Sequence, residues 1–123
     1  MNNRFNFRMW DINTKRFYYM YLDELIGLTR TISIPKGATI QQYTGLTDSN
    51  DKEIYEGDIL MYKSGSIPTT GVIGQVLYEA DEGGYIFQWE RKGPNQHHIN
   101  LNCDVAFESV IIGNILENPE LLK

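Results

Sequence analysis

The sequence is poor in the residues that most directly announce a chemistry. Its 123 residues include a single cysteine, Cys103, so no disulfide can form within the chain. That composition suits a reducing compartment. No apolar run approaches the roughly 20 residues needed to span a bilayer. The start, Met1-Asn2-Asn3-Arg4, has no apolar core behind it, which argues against a secretory signal. Together these absences read as a small cytoplasmic protein with no membrane partner. Positive charge is also scarce: 11 Lys and Arg against 16 Asp and Glu leave a net −5, against a chain-wide polyanion binder. There is no internal repeat, no heptad pattern and no low-complexity tract.

What is present suffices for a core. Hydrophobic residues make up 41% and aromatics 12%, and the length allows one domain or a domain with an appended lobe. The charge is unevenly spread. Residues 1–47 carry six basic and three acidic side chains (+3), and residues 48–123 carry five and thirteen (−8). Opposed charge of this kind bears on association within or between chains and says nothing of fold.

The first half reads as hairpin and short helix. Phe5, Phe7 and Met9 alternate with Asn6, Arg8 and Trp10, the period of a strand. Asp11 to Lys15 is a turn, because Asp and Asn side chains bond the nearby backbone. Arg16 to Tyr21 returns as a strand. Asp23 caps a short helix over Glu24 to Leu28. Ile32 and Ile34 mark a short strand ended by Pro35 and Gly37, and Ile40 to Tyr43 is extended.

The second half reads as a small barrel. Gly57-Asp58 opens the apolar strand Ile59-Leu60-Met61-Tyr62. Lys63 to Thr70 is a polar loop. Gly71 to Glu79 alternates, and Gly83-Gly84 supplies the hairpin turn before Tyr85, Phe87 and Trp89. Lys92 to Asn102 reads as a mobile polar loop. Val105 to Phe107 and Val110 to Leu116 read as the last strands, and Asn118-Pro119-Glu120 opens a closing helical turn. The resulting fold class is mainly β, a β-rich α+β chain: an N-terminal hairpin and short-helix lobe over 1–47, and a small barrel over 48–123. Strand count and spacing fit an SH3-like or an OB-like barrel.

Four ordered blocks resemble one family. They are Phe7-Arg8-Met9-Trp10-Asp11, then Gln42-Tyr43-Thr44-Gly45-Leu46, then Glu53-Ile54-Tyr55-Glu56-Gly57-Asp58-Ile59. The fourth runs from Val110-Ile111-Ile112-Gly113-Asn114-Ile115 to Glu117-Asn118-Pro119-Glu120-Leu121-Leu122. Together they are similar to the YopX-like proteins of bacteriophages and prophages. The chain departs from that pattern at Asn50-Asp51, where the family carries Asn-Gly, so the turn keeps its length while its type shifts. The resemblance implies an SH3-like barrel half with an appended N-terminal half. It brings no activity and no catalytic residue.

Candidate chemistry is thin. His97, His98, Cys103 and Asp104 lack the paired spacing of a zinc site and the orienting third group of a Cys–His nucleophile. Cys103 reads instead as a small core residue ahead of a strand. Asp48, Asn50 and Glu53 are spaced loosely like a calcium loop, but Lys52 stands where an oxygen ligand belongs. Glu53, Glu56 and Asp58 read as an exposed, charged strand edge that discourages sheet pairing. Tyr85, Phe87 and Trp89 fit a core better than a base-stacking platform, given the −8 of their half. The best candidate binding surface mixes basic and aromatic side chains: Arg8, Trp10, Lys15 and Arg16. The expectation is a non-catalytic association protein with no metal and no cofactor. Its partners would be a second copy or a host or phage protein. Nucleic acid is the alternative partner, and an enzyme of unknown reaction comes third.

Overall fold

The computed structural model describes residues 6–20, 36–63, 71–89 and 97–122. Arg4, Phe5, the helix expected over Glu24 to Leu28, the Ile32–Ile34 piece and most of the 63–70 loop lie outside them. Among the described residues the chain is mostly β, with antiparallel strands in two sheets. The first sheet holds β1 (Phe7–Asp11), β2 (Arg16–Met20), β3 (Thr39–Thr47) and β4 (Glu53–Tyr55), in the order β2-β1-β3-β4. The second holds β5 (Asp58–Tyr62), β6 (Val72–Glu79), β7 (Gly84–Trp89), β8 (His97–Asn100) and β9 (Ser109–Asn114), in the order β8-β7-β6-β5-β9. A five-residue helix, α1 (Cys103–Phe107), leads into β9.

The alternation in β1 is real, and its inward face is the less expected one. Asn6, Arg8 and Trp10 are buried, whereas Phe7 and Met9 are half-buried. Arg8 is opposite Tyr19 on β2 and Gln41 on β3, and Trp10 is opposite Phe17. Trp10 and Phe17 pack as tilted rings 4.9 Å apart.

The second sheet follows its sequence pattern. Leu60, Tyr62, Val76 and Phe87 point inward with Ile54, Leu101, Val105 and Ala106 to form the main core. Gly74 is required where β6 crosses β7, since a Cβ there would stand 2.3 Å from the Gln88 carbonyl oxygen.

Two elements differ from expectation. His97 to Asn100, expected within a mobile loop, forms β8 on the sheet edge and pairs with β7. Val105 to Phe107, expected as strand, is helical. Asn102 caps that helix by accepting the Val105 N–H at 3.0 Å. The closing turn starts at Pro119 as a 3-10 helix over Pro119–Leu122, behind Asn118. Asp51 has φ +62°, so the Asn50-Asp51 turn keeps the left-handed residue that Gly would supply more easily.

Candidate functional site

The two sheets meet along a seam of buried polar groups. Arg8 leaves β1 with 6% of its side chain exposed, and its Nη2 donates to Asp58 Oδ1 on β5 at 2.7 Å. Its Nε donates to Gln41 Oε1 on β3 at 2.8 Å. Its guanidinium lies 4.3 Å from the Phe17 ring centre and 4.8 Å from that of Tyr55, a cation between two rings. Asp58 Oδ2 accepts the Tyr55 N–H at 2.8 Å. Burial pushes the Asp58 carboxyl above its usual range; the Arg8 charge and the Tyr55 N–H pull the other way without cancelling it.

Gly57 makes this geometry available. It has φ +88°, and a Cβ on it would collide with the Gln41 amide. Its N–H donates to Val76 and its carbonyl accepts from Ile115, which ties the start of β5 to β6 and to the chain after β9.

Asp48 forms a second seam. One carboxylate oxygen, Oδ1, accepts the N–H groups of Asn50 and Lys52, each at 2.9 Å. The other, Oδ2, accepts the Ile111 N–H of β9 at 3.0 Å. Its oxygens are thereby engaged by backbone, and the loop of Asp48, Asn50 and Glu53 is a tight turn pinned to β9.

Above the Arg8–Asp58 pair lies a cavity of about 570 Å³. Phe17, Tyr19, Tyr55 and Ile111 contribute its walls. Asp51, Lys52, Glu53 and Glu117 are exposed at its rim. A smaller cavity of about 500 Å³ borders Trp10, Ile12 and Lys15, and Glu117 lines both.

The residues singled out from sequence are dispersed. Arg8 and Trp10 are interior, at 5% and 9% exposure, while Lys15 and Arg16 are exposed at the β1–β2 turn. The four therefore do not form one surface. The acidic group splits too: Glu53 is exposed, but Asp58 is buried against Arg8, so it is no exposed strand edge. His97 stacks on Trp89 at 5.8 Å, and His98 reaches Glu82 at 3.2 Å. Cys103 is exposed as the first residue of α1, not a core residue before a strand. Among the described residues, no group of three or more His, Cys, Asp and Glu side chains converges. Phe87 is fully buried, with Tyr85 and Trp89 half-buried against the same core. Sequence reading missed Gln41 and Tyr19, and it placed Asp48 in a polar turn without its bond to β9. The one usable signal was Arg8 sharing a face with Trp10.

The family model described as YopX protein matches residues 20–123. The chain belongs to the YopX protein family. The match starts after Phe7–Asp11, so that block lies outside it. The YopX chain is also similar to a solved structure, the crystal structure of protein EF1440 from Enterococcus faecalis. That likeness has 25% identity and a TM-score of 0.57, covering 96% of this chain and 97% of the other. It therefore extends over β1, which the family model leaves out. A comparison with curated proteins finds no match. Among the described residues no helix is long and apolar enough to cross a membrane.

Proposed function

We propose that this YopX protein is a phage-type association module that binds protein surfaces through the cleft between its sheets and carries out no catalysis. In this reading the five-stranded sheet, with Val105 and Ala106 packed into its core, is an SH3-like barrel offering edges and clefts to partners. The supporting observation is the state of the cleft floor. Its charges are already spent on each other, Arg8 on Asp58, and among the described residues no Cys, Ser or His lines the cavity. A cavity of about 570 Å³ with aromatic walls and a charged rim is suited to holding side chains of a partner.

The test is cross-linking in phage-bearing host cells with the protein as bait. Lys52 on the cleft rim is a native amine for the cross-linker. Partner cross-links at Lys52 that vanish with Tyr19→Ala support the reading. Partners that bind the variant equally, through other lysines, refute it.

The alternative, nucleic-acid binding, is favoured by the exposed Lys15 and Arg16 beside Tyr18 and Tyr19. With Arg8 neutralised internally, two phosphate contacts are what this turn supports. Binding would then fall with salt at a log–log slope of about −2. No binding of single- or double-stranded DNA or RNA at low salt removes this reading.

A further inference from the structure

The occupant of the cleft can be named from the chain's own charges. We propose that a second copy of this protein fills it: each copy inserts its Lys15–Arg16 turn into the acidic cleft of the other, giving a reciprocal two-fold dimer. This rests on the cleft being a binding surface, as argued above, and specifies its partner.

The cleft asks for a cation. Arg8 and Asp58 neutralise each other on the floor, so the rim decides the sign. Asp51, Glu53 and Glu117 against Lys52 leave a net −2 there. The β1–β2 turn offers the matching charge. Residues 12–16 are all exposed, and Lys15 and Arg16 make no ion pair among the described residues. Tyr19, 47% exposed on the cleft wall, presents a ring over which an incoming guanidinium can lie.

The placement suits reciprocity. Glu117 borders both the cleft and the smaller cavity that Lys15 lines, so turn and cleft share one side of the molecule. A two-fold contact needs that arrangement, because the same patch must both give and receive. Two charged residues also hold left-handed backbone that Gly or Asn adopts more easily: Lys15 at φ +56° and Asp51 at φ +62°. One is on the donating turn and the other on the receiving rim.

A charge-swap experiment tests this by sedimentation velocity and light scattering. One variant, K15E/R16E, has an acidic turn and an acidic cleft. The other, E53K/E117K, has a basic turn and a cleft rim whose net charge is reversed from −2 to +2. All the substituted positions are exposed, and circular dichroism checks the fold of each; R16E and E117K singly serve as milder versions. The wild type is expected to dimerise at about 50 mM salt and to weaken at least tenfold at about 500 mM, where exposed charges are screened. Each variant alone is expected to be monomeric, and their equimolar mixture to form a mixed dimer. A monomeric wild type, a dimer indifferent to both variants, or a mixture that stays monomeric overturns the proposal. Lys52 cross-links to a different protein, seen with a monomeric wild type, would leave the cleft reading standing while this one falls.

Discussion

Removing one half of the buried Arg8–Asp58 pair gives the sharpest stability prediction. Arg8→Met keeps the length of the aliphatic stem and deletes the guanidinium. With it go the 2.7 Å bond to Asp58, the 2.8 Å bond to Gln41, the 3.4 Å bond to the Glu56 carbonyl and the contacts with Phe17 and Tyr55. Asp58 then keeps a charge in the interior, held among the described residues by the Tyr55 N–H. Breaking a buried pair from one side costs about 3–5 kcal/mol, because the orphaned charge is uncompensated. Asp58→Asn should cost a comparable amount, since it strands Arg8. The double variant R8M/D58L removes both charges and takes one hydrogen-bond partner each from the Tyr55 N–H, the Gln41 amide and the Glu56 carbonyl. It should lose less than the sum of the single variants, with a coupling of about 2 kcal/mol or more. Urea denaturation followed by fluorescence measures all four proteins, with constant slope as the check that unfolding stays two-state. An R8M loss below about 1 kcal/mol, or additive losses, would show that the pair does not hold the two sheets together.

Further outcomes follow from the same contacts. Burial raises the Asp58 pKa, so its contribution to stability is full below its unfolded value and is lost as pH rises through the folded value. The wild type should therefore lose less stability than D58N on acidification from neutral pH, and an equal or larger loss would refute the assigned shift. Tyr85, which donates to Gln42 at 3.1 Å, is pushed up to about 12, chiefly by burial. The difference between wild type and Y85F in phenolate absorbance should show a step near 12 rather than near 10, the ordinary tyrosine value. Asp51→Gly relieves the left-handed strain of the turn against a smaller gain in unfolded-chain entropy, and should raise thermal stability by about 0.5 kcal/mol at high salt. Unchanged or lower stability would mean that the Asp51 side chain compensates its backbone.

The strands that show in the sequence are those whose two faces see different surroundings. Val76 stands between half-buried Gln75 and Leu77, so a period of two survives in β6. Where both sides of a strand are polar, that signal disappears. His97 to Asn100 pairs with β7 alone on the sheet edge, and nothing apolar marks its register except Ile99. Val105 to Phe107 fails for the opposite reason. Five residues are too few to reveal a helical period, so an apolar triplet looks like a strand. Asn102 was the available signal, as a capping residue placed three before the Val105 N–H. The site was the least legible part. Arg8 and Asp58 are separated by 50 residues and meet only because β1 turns its polar face inward. Charge in a strand ordinarily means an exposed face, and here two aromatic rings and a carboxylate reverse that inference.

The charge asymmetry between the first 47 residues and the remainder therefore acts at two levels. Its first effect is internal. Arg8, from the basic segment, is consumed by Asp58 from the acidic one, and Asp48 ties the β3–β4 turn to β9 through a backbone bond instead of a charge. Both seams cross from one sheet to the other, so the polar interior belongs to neither alone. β4, which follows residue 48, sits in the same sheet as β1, so the sheets do not divide where the charge does. Only the charges left over after these bonds can act outward. Among them are Lys15 and Arg16 on an exposed turn, and Lys52 with three carboxylates around the cleft. Because the internal pair cancels, these side chains set the local sign of each surface, basic at the β1–β2 turn and acidic at the cleft rim.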